Sequence, residues 1–340
     1  MVSIKDIAQA CGVSAATVSK ALNGHSDIGA ATRERILQQA GQMGYMPNAA
    51  ARALKTNRTY NLGVLFVDEA QSGLTNEYFA SVLNSFKQAA EAAGYDITFI
   101  NHKIGGRRDS YLEHCRYRGV DGVVAACVQF GDPEVLELAT SSLPFVTIDH
   151  VFNNRSSVLS NNADGVQLLV QHFAALGHQK IAFIHGEGHT SVTEQRLAGF
   201  FKACTDRGLA VPDAYIRAST YHDPAGAARE TESLLALPEA ERPTAILFPD
   251  DFSSIGGIQA IERAGLRIPA DISVAGYDGN VLSTVMSPAL TTYRQNTEEL
   301  GRAAAELLIR TVENPRATLP EQRIIRGALY EGGTSGPPRA

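Results

Sequence analysis

Between residues 62 and 275 the chain carries two series of short, largely apolar strand candidates, of which 62–67 is a continuous apolar run. The first comprises residues 62–67, 97–100, 122–126 and 145–148, and the second residues 181–184, 245–248 and 272–275. Apolar residues in sequence, without polar alternation, describe strands covered on both faces. Residues 77–93, 164–176, 195–207 and 255–264 read as helices between them. Strands alternating with helices form parallel sheets flanked by helices, so the body is expected to be α/β, with two doubly wound lobes. Ligands of such lobes bind in the loops at the carboxyl ends of the strands. With 340 residues, 44% of them hydrophobic, there is core enough for two or three domains. No apolar run approaches the roughly 18–20 residues that cross a bilayer, and residues 1–14 lack a signal-peptide apolar core. A cytoplasmic location with no membrane partner is expected.

The first sixty residues follow a different rule. They hold seven basic side chains (Lys5, Lys20, Arg33, Arg35, Arg52, Lys55, Arg58) and three acidic ones (Asp6, Asp27, Glu34), a net of +4. The total is −6, so the remaining 280 residues carry 23 basic and 33 acidic groups, a net of −10. A basic module on an acidic body points to nucleic acid. Ser3-Ile4-Lys5-Asp6 fits a capping box, and Ile4, Ile7, Ala8 and Cys11 lie on one helical face that Gly12 terminates. Ser14 is placed to cap a second helix over residues 15–21, with Val18, Ala21 and Leu22 inward. Two helices joined by three residues containing glycine make a helix-turn-helix. A third helix, about residues 30–43, is expected to bury Ile36, Leu37, Ala40 and Met43. In this motif the second helix enters the major groove, which exposes Ala15, Ala16, Thr17, Ser19 and Lys20 to base edges.

A three-helix protein-interaction module would account for residues 1–46 alone. The alanine-rich, basic stretch 47–55 favours DNA instead. It is too short to be a stable free helix, and Leu54 lies between Arg52 and Lys55 with no core to enter. A segment that orders on DNA and wedges an apolar side chain between minor-groove steps explains both features.

VSAATVSKALNG, TRERI, GYMPNAAARALK and NLGVLF together resemble the LacI/GalR family of bacterial transcriptional repressors, from the first helix to about residue 330. The resemblance implies that Ala15, Ala16 and Lys20 read bases and that Leu54 is the hinge-helix leucine. Ser14, Thr17, Ser19, Asn23, Asn48, Ala51, Arg52 and Lys55 complete the candidate DNA contacts. Lys20 stands where many members have arginine, so a point charge replaces a bidentate fork. Gly29-Ala30-Ala31 replaces the frequent Ser-Glu-Glu, losing a helix cap. By resemblance the body is like periplasmic sugar-binding proteins, with three crossings between lobes near residues 161, 290 and 320. The expected organisation is a helix-turn-helix domain at 1–46, hinge helix and linker at 47–60, and an effector-binding and dimerisation body at 61–330. Lobe 1 takes 61–160 and 291–319, and lobe 2 takes 161–290 and 320–330, finished by one strand at 322–329. Residues 331–340, rich in glycine and proline, are expected to be disordered. No leucine heptads follow, so a homodimer is favoured over a coiled-coil tetramer.

Candidate effector residues fall at strand ends. Tyr78 and Phe79 stand in Asn76-Glu77-Tyr78-Phe79, where the family often has Asn-Pro-Phe-Phe, and offer flat apolar surface. Asp68 and Asp149 end strands. Arg196 lies in a segment resembling the family's S-x-x-x-R-x-x-G-[FW], whose arginine clamps the effector. Asp250 and Asp278 correspond to effector-contacting positions. Carboxylates and a five-donor fork suit the hydroxyls of a sugar.

Enzymatic readings find little support. Gly186-Glu187-Gly188 begins a G-x-G-x-x-G motif, but Ser191 replaces its third glycine. Asp250 and Asp251 are adjacent and diverge along an extended segment. His172, His178, His185 and His189 lack metal-site spacing, and Cys11, Cys115, Cys127 and Cys204 form no CxxC pair. No metal or cofactor is expected. The reading is a sequence-specific transcriptional regulator, a repressor of carbohydrate-utilisation genes. It binds a pseudopalindromic double-stranded operator under control of a sugar effector. A sugar-binding protein or sugar-active enzyme on the same fold is the alternative.

Overall fold

Ser3 starts the first helix, α1 (Ile4–Cys11), by a reciprocal cap: its hydroxyl accepts from the Asp6 amide at 3.3 Å, and its own amide donates to the Asp6 carboxylate at 2.8 Å. Gly12 ends the helix in the left-handed region at φ 62°, where its missing Cβ costs nothing. The computed structural model describes residues 2–22, 24–46, 58–67, 73–104, 106–188 and 190–339. They divide into two units, Met1–Thr59 and Tyr60–Ala340.

In the first unit α1 is followed by α2 (Ala15–Leu22) and α3 (Ala30–Gln42). Ser14 Oγ accepts from the Thr17 amide at 3.1 Å and so caps α2. α3 begins at Gly29 with no side-chain cap, as its sequence implies. The core comprises Ile7, Ala8, Cys11, Val18, Ala21, Ile36 and Ala40, with Leu22 and Met43 half-buried against it. Leu37, expected inside, is 48% exposed. It follows Ile36, so it lies about 100° round the helix from the buried stripe, and three short helices cover only that stripe.

The second unit has two six-stranded sheets. Lobe 1 contains β1 (Asn61–Phe66), α4 (Glu77–Ala92), β2 (Asp96–Ile100), a small hairpin of β3 (Lys103–Ile104) and β4 (Arg107–Arg108), α5 (Tyr111–Arg118), β5 (Gly122–Ala126), α6 (Pro133–Thr140), β6 (Phe145–Ile148) and β7 (Ser156–Ser160). Lobe 2 contains α7 (Asn162–Ala175), β8 (Ile181–Gly186), α8 (Ser191–Asp206), β9 (Ile216–Ser219), α9 (Pro224–Leu235), β10 (Ala245–Leu247), α10 (Asp251–Arg263), β11 (Ser273–Asp278), α11 (Val281–Val285) and β12 (Thr291–Arg294). The chain then makes α12 (Thr297–Glu313) and β13 (Gln322–Ile325) in lobe 1, and β14 (Ala328–Tyr330) in lobe 2. Strand order is β13-β7-β6-β5-β1-β2 in one sheet and β14-β12-β11-β10-β8-β9 in the other. All pairs within these two sheets are parallel except β12 with the edge strand β14. Helices α4 and α12 cover one face of the first sheet through Val82, Phe86, Leu300 and Leu308, while α5 and α6 cover the other through Leu112 and Leu138. Lobe 2 repeats the plan with α7 and α8 opposite α9 and α10.

Two crossings differ from expectation. The chain leaves lobe 2 at residues 295–296 instead of near 290, because β12 still belongs to the second sheet. It leaves lobe 1 for the last time at 326–327 instead of near 320. The expected single strand 322–329 is broken there. A Cβ on Gly327 would stand 2.2 Å from the Arg294 carbonyl oxygen, and the Gly327 amide donates to the Tyr293 hydroxyl at 2.6 Å. That close approach turns the chain between sheets.

Residues 331–339 also depart from the expected disorder. Thr334 is buried; its hydroxyl donates to the Val274 carbonyl at 2.8 Å and accepts from the Thr291 amide at 2.9 Å. The Gly336 amide donates to Ser273 Oγ at 3.0 Å, and Arg339 pairs with Asp271 at 2.9 Å. Composition registers glycine and proline but not the unpaired groups of β11 and β12 that this segment satisfies. No helix among the described residues is long and apolar enough to cross a membrane.

Candidate functional site

A cavity of about 560 Å³ opens between the carboxyl ends of the two sheets. Lobe 1 supplies Tyr78 and Phe79 from α4, Cys127 to Gly131 after β5, and Asp149 and His150 after β6. Lobe 2 supplies Glu187, Thr190 to Val192, Arg196 from α8, Thr220 to His222 after β9, Asp250 after β10 and Asp278 at the end of β11. Asn76, Ile148 and Gln295, the last in a crossing segment, also line it. Cys127 (φ 53°), Asp149 (φ 60°), His222 (φ 60°) and Asp278 (φ 112°) all have positive φ. Among the described residues only one other non-glycine, Tyr60, does so. Such strain persists where surrounding contacts over-determine the backbone, and here it turns side chains into the cavity.

Arg196 is held from three sides. Its Nε donates to Asn162 Oδ1 at 2.9 Å and an η nitrogen donates to the Pro249 carbonyl at 2.8 Å. Its guanidinium carbon lies 3.6 Å from the Tyr277 ring centroid. Gly199, three residues on, makes this possible: a Cβ there would meet the Ala163 carbonyl oxygen at 2.4 Å, so only glycine lets α8 approach α7 this closely. Burial opposes the charge on Arg196, but Tyr221, Tyr277 and Asp278 together hold its pKa above the usual value. Two of five donors are used, which leaves the outer edge of the fork for a ligand.

Carboxyl groups surround that fork. Asp149 accepts from the Tyr78 hydroxyl at 3.0 Å and from the Ser160 amide at 2.8 Å. Burial raises its pKa against the opposing pull of these donors and of Arg196. Burial, then the Asp149 and Asp278 charges, pushes Tyr78 upward, so it stays a neutral hydroxyl. Asp278 is raised well above the carboxylate range, chiefly by burial and further by Asp251 and Asp250. Its Oδ1 accepts from Gln295 Nε2 at 2.7 Å, while Gln295 Oε1 is buried with no partner. Asp250 is committed to structure. It caps α10 through the Ser253 amide at 2.7 Å and also accepts from the His222 amide at 2.8 Å. Asp251 turns the other way, accepting from Thr292 at 2.6 Å and from the Gly279 and Asn280 amides, so the two neighbouring acids form no dyad. Two direct hydrogen bonds join the lobes beside the cavity: Ser191 Oγ to the Asp149 carbonyl at 3.0 Å, and the Val281 amide to Glu77 Oε1 at 2.8 Å.

Six of the seven acidic, basic and aromatic positions singled out from the sequence line this one cavity: Tyr78, Phe79, Asp149, Arg196, Asp250 and Asp278. Asp68 lies outside the described residues. Sequence reasoning missed Phe130, stacked on His150 with centroids 4.1 Å apart, and the Tyr221-His222 pair after β9. The strand-end rule would have found Tyr221 had the short run 216–219 been read as a strand. Gln295 was hidden by placing the crossing five residues early. Cys127 is half-buried at the cavity wall, whereas Cys11, Cys115 and Cys204 are buried.

In the first unit Ala16 and Lys20 are exposed on α2, while Ala15, Thr17 and Ser19 are half-buried. Ser14 spends its hydroxyl on the cap. The Lys20 ammonium is ion-paired with Asp27. Asn23, Asn48, Ala51, Arg52, Leu54 and Lys55 lie outside the described residues, as does most of the expected hinge.

Residues 3–48 match the model for bacterial regulatory proteins of the lacI family, and residues 170–335 match a periplasmic binding protein-like domain. The ribose operon repressor of Haemophilus influenzae is 33% identical, over 97% of this chain and 99% of its own. The HTH-type transcriptional repressor PurR of Photobacterium profundum is 32% identical, over 92% and 93%. Among solved structures, the lac repressor dimer bound to operator and the anti-inducer ONPF superposes with a TM-score of 0.80 at 26% identity, covering 98% of this chain and 99% of that one. A helix-turn-helix head, a two-lobed periplasmic-binding-protein-like body and full-length relatives above 30% identity place the chain in the lacI family of DNA-binding bacterial regulatory proteins.

Proposed function

We propose that the chain is a homodimeric repressor of carbohydrate-utilisation genes whose grip on a pseudopalindromic operator is set by an unphosphorylated sugar in the cavity. One observation carries the ligand class: the open edge of the Arg196 fork lies in a cavity shared with the neutral-tending carboxyl of Asp278 and the unpartnered Oε1 of Gln295. A sugar hydroxyl both donates and accepts, so a row of them satisfies all three groups. The aromatic faces of Phe130, Tyr78 and Tyr221 suit the apolar faces of a pyranose or furanose ring. Arg196 is the one lysine or arginine among the described lining residues, and Asp278 lies beside it, which leaves little positive charge for a phosphorylated ligand. The full-length relative named a ribose operon repressor supports the same class.

Lys20, Ala15 and Ala16 of α2 take the base-reading role, with Ser14, Thr17, Ser19 and Asn23 beside them. Asn48, Ala51, Arg52, Leu54 and Lys55 form the hinge contacts, and Leu54 is the minor-groove wedge. The sugar acts by binding the bridged lobes better than separated ones, and this difference is what biases the hinge and hence the operator affinity. The protein acts in the cytoplasm and turns over nothing.

A thermal-shift series tests the ligand class, since a ligand of the folded state raises the midpoint. D-Ribose, other free pentoses and hexoses, and their phosphates are compared, each with and without operator selected from a random library. A midpoint rise with a free sugar, and recovery of that sugar unchanged, is the expected result. A response confined to phosphorylated sugars, or conversion of the sugar to product, would overturn the reading.

A further inference from the structure

Lys20 is the single cation of α2, and its ammonium is already engaged by Asp27, on the loop that follows the helix. The two side chains are 50% and 53% exposed. Two long, mobile surface side chains in such a pair gain about 0–1 kcal/mol and fix little geometry. Asp27 is different, because its side chain is short and its loop is pinned. The His25 amide donates to the Lys20 carbonyl at 3.1 Å, and the Arg33 guanidinium, reaching from α3, donates to the His25 carbonyl. The loop therefore delivers the Asp27 carboxylate to a set place beside the exposed face of α2. The hydrogen bond from Lys20 in turn holds the Asp27 carboxyl below its ordinary range.

This contact changes what Lys20 can do at a DNA surface. An ammonium has three donors. With one given to Asp27, two remain, enough for the O6 and N7 acceptors of one guanine. Swinging out to a phosphate would break the pair or carry the Asp27 charge toward a polyanion. Base acceptors are neutral, so Lys20 can reach them without exchanging Asp27 for a competing anion.

We infer that Asp27 is a positioning residue for base reading: it restrains Lys20 from the phosphate backbone and aims it at a guanine edge, trading affinity for selectivity. The inference rests on the proposed placement of Lys20 in the major groove.

The test uses the full chain and a double-mutant cycle. Binding of the selected operator and of a scrambled duplex is measured by fluorescence anisotropy across a salt series for the wild type, Asp27→Asn, Lys20→Ala and the double variant. Asp27→Asn should tighten binding to scrambled DNA by roughly 3–10-fold and steepen the salt slope by about one per half-site, as one new phosphate contact does. The operator-to-scrambled ratio should fall about 5-fold, with loss of preference for guanine at one position of each half-site. In the Lys20→Ala background, Asp27→Asn should leave that ratio unchanged, because the effect passes through Lys20. An equal effect of Asp27→Asn with and without Lys20 would reduce Asp27 to a general charge and sink the inference, as would an unchanged ratio in Asp27→Asn. If Lys20→Ala alone leaves the ratio intact, the placement of Lys20 at the bases is what fails, and the role of Asp27 falls with it.

Discussion

The carboxylate of Glu77, at the start of α4 in lobe 1, accepts a 2.8 Å hydrogen bond from the amide of Val281, at the start of α11 in lobe 2. The next residue, Tyr78, holds Asp149 in the cavity. One helix start thus touches both the opposite lobe and the candidate ligand site. A proline at position 77, as in the Asn-Pro-Phe-Phe pattern, would carry no carboxylate to accept this bond. Glu77→Ala should loosen the lobes, and Glu77→Gln, which keeps a carbonyl acceptor, should not. Distances between spin labels placed on either lobe would show a longer or broader distribution for Glu77→Ala alone. A sugar that binds the bridged form should then bind Glu77→Ala about 2–5-fold more weakly.

Arg196 has two functions that substitution should separate. Arg196→Ala leaves Asn162 Oδ1 and the Pro249 carbonyl without their buried donor, which should lower stability by about 2–4 kcal/mol in urea unfolding. Arg196→Lys keeps the charge but cannot span two acceptors and a ligand from one plane. It should cost about half as much stability yet weaken sugar binding at least about 10-fold. Equal losses in the two assays would mean that the fork is structural only.

Asp251 supplies a pH dependence with a definite sign. Burial lifts its pKa to about 7, against the stabilising pull of Thr292 and the Asn280 and Gly279 amides. The folded state therefore retains a proton that the unfolded chain releases near its ordinary carboxyl pKa of 3.8. Between those values the folded form binds more protons, so stability falls as pH rises through the window from about 4 to about 7. Asp149 and Asp278, raised by their own burial, act in the same direction. Asp251→Asn removes its share. The gap between wild type and variant should move against the wild type by on the order of 1 kcal/mol per pH unit across that window, read from urea midpoints at pH 5 and pH 7.

The last ten residues should matter to lobe 2. Truncation after Tyr330 strips the Thr291 amide and the Val274 carbonyl of their Thr334 partners and exposes His178, whose ring meets the Gly336 carbonyl at 2.9 Å. Thr334→Val, a milder change of the same kind, should cost about 1–3 kcal/mol, visible as a lower thermal midpoint. A truncated chain as stable as the intact one would show the segment to be ornamental.

Much of this architecture was legible because it is written in local chemistry. Ser3 and Asp6 cap each other across three residues, and the apolar runs at 62–66 and 122–126 form strands of a sheet interior. The ligand cavity was legible in part for a related reason: a parallel strand ends where its side chains change from aliphatic to Asp or Arg, and Asp149 and Asp278 mark such ends. What escaped depends on contacts remote in sequence. Gly327 breaks a strand because the Arg294 backbone lies against it. Thr334 is ordered by groups on β11 and β12. Gln295 enters the cavity because β12 runs further than its polar residues suggest. Lys20 looked like a free donor because nothing in its own helix announces Asp27.

Because the chain passes between lobes at residue 161, at 295–296 and at 326–327, each lobe is assembled from separated stretches of the gene. A single recombination point can never transplant one lobe whole. Residues 1–59, in contrast, are one uninterrupted block. Exchange at one junction near residue 59 therefore joins a whole DNA-binding head to a whole ligand-binding body, whereas moving one lobe alone takes several junctions.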